Sequence, residues 1–197
     1  SEPTGVKTAL KSALGGQQAM NVVHLLSLMH SAGITQIPEC ITKLKSRGST
    51  EILLAREIDA SLARFLGYII SEGRTTKENQ VWFVNEDERM VKDFIECAHS
   101  IFGVEAKIFN YKGSTKDVLI FSHALWQFLE KAFDFGIESL SKEKIIPQQI
   151  FSASKEIMGE FLSALFEGDA YISVEETNRR KEIYLEYSTA SSALAKG

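Results

Sequence analysis

The stretch SLARFLGYIISEG, residues 61–73, decides the fold of this chain. Its large apolar side chains recur at steps of three and four residues, which predicts a helix with one strongly apolar face. A second line of small side chains, four residues apart, allows another helix to approach almost to backbone contact. The apolar face consists of Leu62, Phe65, Leu66, Ile69 and Ile70, and the small line of Ala63, Gly67 and Ser71. The sequence therefore predicts a buried helix with a close helical partner.

A second stretch, EFLSALFEGDA at residues 160–170, repeats this design. Its small residues are Gly159, Ser163, Ala164 and Gly168. Each stretch ends on an acid, Glu72 in the first and Asp169 in the second. A carboxylate at a helix C-terminus faces the negative end of the helix dipole, which typically costs about 0.3–1 kcal/mol. Acids in such a position indicate a purpose other than helix stability.

Side-by-side packing of the two helices would bring Glu72 and Asp169 together at one end. Two carboxylates in one place repel, and one of them would normally take up a proton. A divalent metal removes this repulsion, and hard carboxylate oxygens completed by water and a substrate phosphate suit Mg²⁺ better than zinc. The two acids are therefore predicted metal ligands.

This pair of motifs resembles the doubled motif of the LAGLIDADG homing endonucleases, particularly the DOD type carried by inteins. In that family the two motif helices pack at the centre of the domain, and their last acids bind the metals that cut DNA. The resemblance covers about residues 55–197 and assigns those roles to Glu72 and Asp169. Ala170 departs from the pattern, since the family usually has Gly there. The alternative is an ordinary helical hairpin whose terminal acids are solvated.

The amino-acid composition limits the classes of protein to which this chain can belong. The chain has 197 residues, of which 44% are hydrophobic, enough for one or two domains with a real core. No apolar run approaches the roughly 20 residues that span a bilayer, and no signal peptide is visible, so we expect a cytoplasmic protein without membrane contact. The two cysteines, Cys40 and Cys97, and the four histidines lack metal-ligand spacing. The cysteines are expected to be buried thiols rather than a disulfide or zinc site, and the histidines ordinary core or surface residues.

The charge balance, 22 basic against 26 acidic residues, argues by itself against a nucleic-acid binder. The distribution points the other way, because basic residues gather in three short loops at 74–77, 112–116 and 179–181. Each loop alone could be a solvated turn. Their shared position beside predicted strands favours a rim that faces DNA.

The chain divides into three predicted regions. Residues 1–55 form a helical region with helices at 6–14, at 19–29 and from Pro38 through Leu44, either a helix-turn-helix-like unit that contacts phosphates or a small helical cap. Residues 56–150 form the first repeat and residues 151–197 the second, which is truncated. The predicted fold class is α+β, with αββαββα repeats related by a pseudo-twofold axis and a saddle-shaped antiparallel sheet.

Hydrophobic periodicity places the elements of the two repeats. In the first repeat we predict strands at 80–85, 104–111 and 116–122 and helices at 85–101 and 124–133. In the second we predict a motif helix from near Ser154, strands at 170–176 and 181–188, and the opening of a further helix at 191–197.

The open face of such a sheet would contact DNA. Alternation in strand 80–85 places either Gln80, Trp82 and Val84 or Val81, Phe83 and Asn85 on that face, and the pattern does not choose between them. The predicted contacts to phosphates or bases are the polar and basic residues near the strands. They are Arg74, Lys77, Gln80, Lys107, Asn110, Lys112, Lys116, Ser173, Arg179, Arg180 and Lys181.

The resemblance implies an enzyme, a monomer with two internal repeats that binds a long duplex and hydrolyses both strands with Mg²⁺ or Mn²⁺. The family often has a basic residue near the site, ahead of Ile-Pro, and Lys144 of SKEKIIP fits this position. The alternative for Lys144 is a solvated charge beside Lys142. Two rival functions stay open, a decayed DNA-binding module or regulator that no longer cuts, and a protein-interaction domain whose basic loops scatter over unrelated surfaces.

Overall fold

A computed structural model describes residues 22–46, 48–110, 113–135, 141–177 and 180–196. It begins with helix α1 (Val22–Ser31) and a short hairpin of β1 (Lys43–Lys45) and β2 (Glu51–Leu53). The predicted helix from Pro38 to Leu44 is wrong, because Leu44 instead pairs with the buried Ile52 across the hairpin. The predicted helix at 6–14 lies outside the described residues. Cys97 is buried as predicted, whereas Cys40 is exposed and that prediction is wrong.

The first repeat follows in the order helix, two strands, helix, two strands, helix, and it starts at Asp59. The side chain of Asp59 caps the first helix by accepting a hydrogen bond of 2.8 Å from the amide of Leu62. The elements are α2 (Ala60–Ser71), β3 (Gly73–Thr75), β4 (Gln80–Asn85), α3 (Glu88–Phe102), β5 (Ala106–Asn110), β6 (Lys116–Phe121) and α4 (His123–Phe133). The predicted elements of residues 56–133 are therefore confirmed, with the short strand β3 added.

The second region contains helix α5 (Lys155–Asp169), capped by the side chain of Ser154, followed by the strands β7 (Ala170–Thr177) and β8 (Arg180–Tyr187). Two short 3₁₀ turns, Ser141–Glu143 and Ile150–Ser152, precede the helix. The further helix predicted at the end is not formed over residues 191–196, which make hydrogen-bonded turns. The α+β class with antiparallel sheets is confirmed.

The four-stranded sheet has the order β3-β4-β6-β5 and is antiparallel throughout. One face packs against the helices, and its side chains at the centre of the sheet, Val81, Phe83, Val118 and Ile120, are fully buried. Phe83 stacks on Phe94 of α3 with ring centroids 4.5 Å apart. Gln80, Trp82 and Val84 therefore belong to the opposite face, which the sequence alone did not decide.

Helices α2 and α5 pack closely through two glycines. A Cβ atom added at Gly67 would lie 2.6 Å from the carbonyl oxygen of Phe161 and 2.9 Å from the Cβ of Ala164. One added at Gly168 would lie 2.4 Å from the hydroxyl of Ser71. The predicted contact through small residues is therefore confirmed at these positions. The prediction of a contact is wrong for Gly159, where an added Cβ would have no atom within 4 Å, and for Ser163, which is exposed.

Arg64 of α2 ties the two motif helices to α3. Its guanidinium contacts Asp93 of α3 at 2.6 Å, and Glu160 and Glu167 of α5 at 3.2 Å each. The hydroxyl of Tyr68 lies 2.8 Å from the Glu167 carboxylate, within hydrogen-bond distance. This network helps to fix the rotation of α5 on α2. Within the ranges that the structure describes, no helix is both long and apolar enough to cross a bilayer.

Candidate functional site

The C-terminal ends of α2 and α5 meet, and each carries one of the two motif acids. Glu72 is the residue that caps α2, and Asp169 is the last residue of α5. The close approach at Gly168 involves the Glu72 side chain directly, since a Cβ at Gly168 would lie 3.2 Å from its Cγ. The structure therefore brings the two predicted acids together at one end of the helix pair.

The backbone around the two acids is built in the same way. The amide of Val84 donates to the carbonyl oxygen of Glu72 at 3.3 Å, and the amide of Ser188 donates to that of Asp169 at 3.4 Å. Each acid thus leads into the first strand of a hairpin whose second strand returns beside it. The chain therefore makes the same kind of backbone hydrogen bond at both acids.

The residues that follow the two acids differ for a packing reason. Gly73 pairs with Phe83, and a Cβ at Gly73 would lie 2.5 Å from the Cα of Ile69. Ala170 pairs with Tyr187 and carries a Cβ in the corresponding place. Glycine is therefore required by close packing after Glu72, whereas the position after Asp169 is occupied by alanine.

Lys144 reaches this site from the segment before α5. Its ammonium group donates a hydrogen bond of 2.9 Å to the carbonyl oxygen of Ser71, at the end of α2. Its own carbonyl oxygen accepts a hydrogen bond of 2.7 Å from the hydroxyl of Ser191. Burial lowers the pKa of Lys144, while the charges of Asp169 and Glu72 oppose that shift. Lys144 is therefore a half-buried cation next to both acids, and not a solvated charge.

The two carboxyl groups lie in an unfavourable environment for negative charge. Burial and then the charge of Asp169 raise the pKa of Glu72, and Lys144 opposes the shift. Burial also raises the pKa of Asp169, against the effects of Lys144 and Tyr187. The Tyr187 hydroxyl is buried and makes no hydrogen bond of normal geometry, yet it lies near enough to Asp169 for each to shift the pKa of the other.

These groups fit a hard divalent cation. Two carboxylates and one lysine leave a formal charge of −1, and an added cation would offset the repulsion that raises the pKa of Glu72. Among residues 22–196, as far as they are described, no third His, Cys, Asp or Glu completes a ligand cluster. A protein site with so few ligands suits Mg²⁺, which keeps several waters and accepts phosphate oxygens. The metal-binding role of Glu72 and Asp169 stays a prediction.

The predicted DNA contacts of the first repeat divide between the two faces of its sheet. Arg74, Gln80 and Lys107 lie on the face opposite the helices. Asn110 and Lys116 lie on the helix side, where the Lys116 ammonium group donates to the Asn110 amide oxygen at 2.9 Å. Lys77 is exposed in the turn between β3 and β4, and Lys112 lies outside the described residues.

The predicted DNA contacts of the second hairpin, β7 and β8, also lie on both of its faces. Ser173 and Arg180 share one face, and Lys181 lies on the other. The Ser173 hydroxyl donates to the Glu186 carboxylate at 2.6 Å. Arg179 lies outside the described residues. The three basic loops therefore do not form one continuous basic surface among the residues that the structure describes.

Sequence reasoning left the position of Trp82 open and missed Tyr187. Trp82 lies beneath the guanidinium of Arg74, 4.4 Å from its ring centroid, and Tyr187 borders Asp169. A usable signal existed for Trp82, because a tight turn between strands 73–75 and 80–85 places it opposite Arg74. The position of Tyr187 next to Asp169 follows only from the register of the second hairpin, which the sequence does not show.

Comparison with known proteins gives matches to small parts of much longer chains. No family model matches. The chain is 31% identical over 132 residues to a subunit of the A-type ATP synthase of Pyrococcus abyssi, which is 66% of this chain and 12% of that protein. It is 31% identical over 157 residues to an uncharacterized protein of Methanocaldococcus jannaschii, 75% of this chain and 17% of the relative.

A third relative is the replication factor C small subunit of Methanocaldococcus jannaschii, 28% identical over 179 residues, which is 87% of this chain and 9% of that protein. The matched segment thus spans between 9% and 17% of these relatives. Two of these archaeal relatives have names that describe different roles, and each of the three carries a segment similar to this chain.

Proposed function

We propose that this chain is a LAGLIDADG-type homing endonuclease domain of intein origin, which binds a long DNA duplex and hydrolyses both strands. The observation that carries the proposal is the meeting of Glu72, Asp169 and Lys144 at the ends of two helices packed through glycine. Partly buried acids at the C-terminal ends of helices lower the stability of the fold, so an explanation from binding or catalysis is favoured.

The relatives support an inserted element. The same stretch of about 130–180 residues is similar to a small part of an ATP synthase protein and to a small part of a replication factor protein. These two proteins have different named roles, so a segment that is similar in both is not expected to belong to the function of either one. A mobile segment carried by several hosts explains this pattern, and inteins with a homing endonuclease are segments of that kind.

The chemistry would rest on three side chains. Glu72 and Asp169 would each hold a Mg²⁺ or Mn²⁺ ion through a carboxylate oxygen. Such ions neutralise charge on a scissile phosphate and favour ionisation of a bound water. Lys144, fixed by its bond to the Ser71 carbonyl, would place a positive charge beside the same phosphate. The two acids belong to the two halves, so each half would act on one DNA strand.

The fold supplies a surface for DNA next to these acids. Strand β3 begins directly after Glu72, and its Arg74 lies on the face of the sheet opposite the helices. Lys107 on β5 is exposed on the same face at the far edge. The major groove of B-DNA is about 12 Å wide and admits a two-stranded β-ribbon, such as the pair of β3 and β4 that carries Arg74.

The direct test is cleavage of duplex DNA that spans the uninterrupted host sequence at the insertion point. We expect nicked and then linear plasmid in the presence of Mg²⁺ and neither in EDTA. Asp169→Asn keeps the shape of the side chain and removes its charge, so cleavage should fall by at least about a hundredfold while DNA binding in a gel-shift assay is retained. Retained cleavage would show that Asp169 is not the metal ligand.

A matched control lies in the same helix. Glu156 is an exposed acid in the first turn of α5, remote from its C-terminal end, and Glu156→Gln should cleave like the unmodified chain. Loss of cleavage in both variants would indicate damage to the helix rather than to the site.

A second function has one observation in its favour. Ala170, directly after Asp169, stands where the family usually has Gly. A DNA-binding module that does not cut would tolerate such a change beside one of the two acids. Binding of the host site without nicking, at any Mg²⁺ or Mn²⁺ concentration, would favour this module over the enzyme.

A further inference from the structure

Arg74 is the cation on the sheet closest in sequence to the motif acids, and it is stacked on an aromatic ring. Its guanidinium carbon lies 4.4 Å from the centroid of the Trp82 ring, a cation–π contact. The two residues are direct partners in the pairing of β3 with β4. The backbone register and the ring contact together fix where the guanidinium lies.

The indole is itself held in place. The Trp82 ring nitrogen donates a hydrogen bond of 2.8 Å to the side-chain oxygen of Gln80, two residues earlier on the same face. Gln80, Trp82 and Arg74 thus form a chain of three side chains, in which each limits the rotation of the next. A guanidinium ordered in this way loses less conformational freedom on binding than a free one.

A row of residues crosses the sheet at this level. Pairing places Arg74, Trp82, Leu119 and Lys107 side by side on β3, β4, β6 and β5. The row has a cation at each edge and apolar side chains between them. Lys107 lies 5.3 Å from the ring centroid of Phe121, but a single ammonium group has no planar direction. The two edge cations therefore differ in what they can recognise.

We infer that Arg74 is a specificity-determining residue that reads a guanine in the major groove beside the cleaved bond. This rests on the proposed function. Its planar group can donate two parallel hydrogen bonds to O6 and N7 of guanine, and no other base offers two acceptors in that arrangement. Arg74 lies two residues after Glu72, so the base it contacts would adjoin the phosphate at that acid. Lys107 would contact a phosphate at the other edge.

The test is selection of duplexes from a randomised pool by the full chain, with Ca²⁺ in place of Mg²⁺ so that bound DNA survives. We expect the recovered site to contain a fixed guanine next to the bond that is later cut with Mg²⁺. Replacing that guanine by adenine or 7-deazaguanine should weaken binding roughly tenfold to hundredfold. The variant Arg74→Ala has no side-chain donor and should bind the guanine and adenine sites within about threefold of each other.

Two further variants separate base reading from a general charge effect. Trp82→Leu should lose most of the preference for guanine, since the stacking that directs Arg74 is gone, whereas Trp82→Phe should keep part of it. Lys107→Gln should weaken binding to all sequences alike, as expected for a phosphate contact. Circular dichroism melts of each variant establish that the sheet is intact.

The outcomes are distinct. An unchanged guanine preference in Arg74→Ala overturns the inference, and so does a uniform loss of affinity like that of Lys107→Gln. A recovered site with no fixed guanine beside the cut overturns it as well, while the proposed nuclease survives. If the chain enriches no sequence at all, the proposed function fails, and this inference fails with it.

Discussion

At the scale of single residues, Glu72 and Asp169 occupy positions that oppose their charge. Each lies at the negative end of a helix, each is partly buried, and Asp169 adds repulsion to Glu72. Lys144 offsets only part of this, since the pKa values of both carboxyl groups stay raised beside it. The folded chain therefore carries strain at this site that an uncharged side chain would not have.

This strain gives a prediction on stability. Glu72→Gln should increase the free energy of unfolding at pH 7.5, by an amount within the roughly 0.5–2 kcal/mol typical of stabilising substitutions. The pKa of Glu72 is raised above its ordinary value in the folded chain, so the folded state binds the proton more tightly and gains stability as pH falls. The advantage of glutamine should therefore shrink below the raised pKa and vanish below about pH 4.

Urea denaturation at pH 7.5 and pH 4 measures this effect. Glu156→Gln is the control, since the pKa of this exposed acid is lowered and removal of its charge gives no stabilisation. A Glu72→Gln variant less stable than the unmodified chain at pH 7.5 would contradict the account of a strained site.

At the scale of elements, the contact of α2 with α5 depends on which glycines lie between them. Gly67→Ala should destabilise the chain by about 1–3 kcal/mol, because the new Cβ would lie 2.6 Å from a backbone oxygen that cannot move without shifting α5. Gly159→Ala, in α5 but with no atom within 4 Å, should instead stabilise it by about 0.5–1 kcal/mol through helix propensity. Thermal denaturation of both variants tests the pair, and equal effects would show that the helices do not pack as described.

The same helices show how far the sequence could predict this fold. Their apolar period of 3.6 residues, their ends and the meeting of Glu72 with Asp169 were all predictable. The sequence did not show which small residues of α5 face α2, because Gly159 and Gly168 are equally small and the rotation of a helix is set by its partners. The Arg64 network, formed with acids of α3 and α5, is one such determinant.

Short strands were the weakest part of the prediction. The three residues of β1 are too few to show an alternating period, and the preceding Pro38 fitted the start of a helix. The pairing of β1 with β2 over three residue pairs overrides that local preference. For the candidate site, Lys144 was found through the family resemblance, whereas Trp82 and Tyr187 depend on strand registers that the motifs do not specify.

At the scale of the whole molecule, the two hairpins that follow the motif acids are unequally covered. The helix-side residues Val81 and Phe83 of the first are fully buried. The corresponding face of the second is apolar as well, yet Ile172 and Ile183 are each 69% exposed. Burial of apolar side chains is the main source of local stability, so the second hairpin is held mainly by its own backbone hydrogen bonds and its attachment to α5.

Hydrogen exchange of the native chain should reveal this difference. Amides of β4 and β6 should exchange through opening of the whole domain, because they lie between buried strands and helices. Amides of β7 and β8 should exchange through local opening, at a free energy at least about 2 kcal/mol lower, since little apolar surface has to be exposed. Mass spectrometry of peptides covering residues 80–85 and 116–121 against 170–177 and 180–187 makes the comparison within one sample. Equal protection of the two sets would mean that the second hairpin is covered in solution, and addition of a duplex that protects only the second set would identify DNA as what covers it.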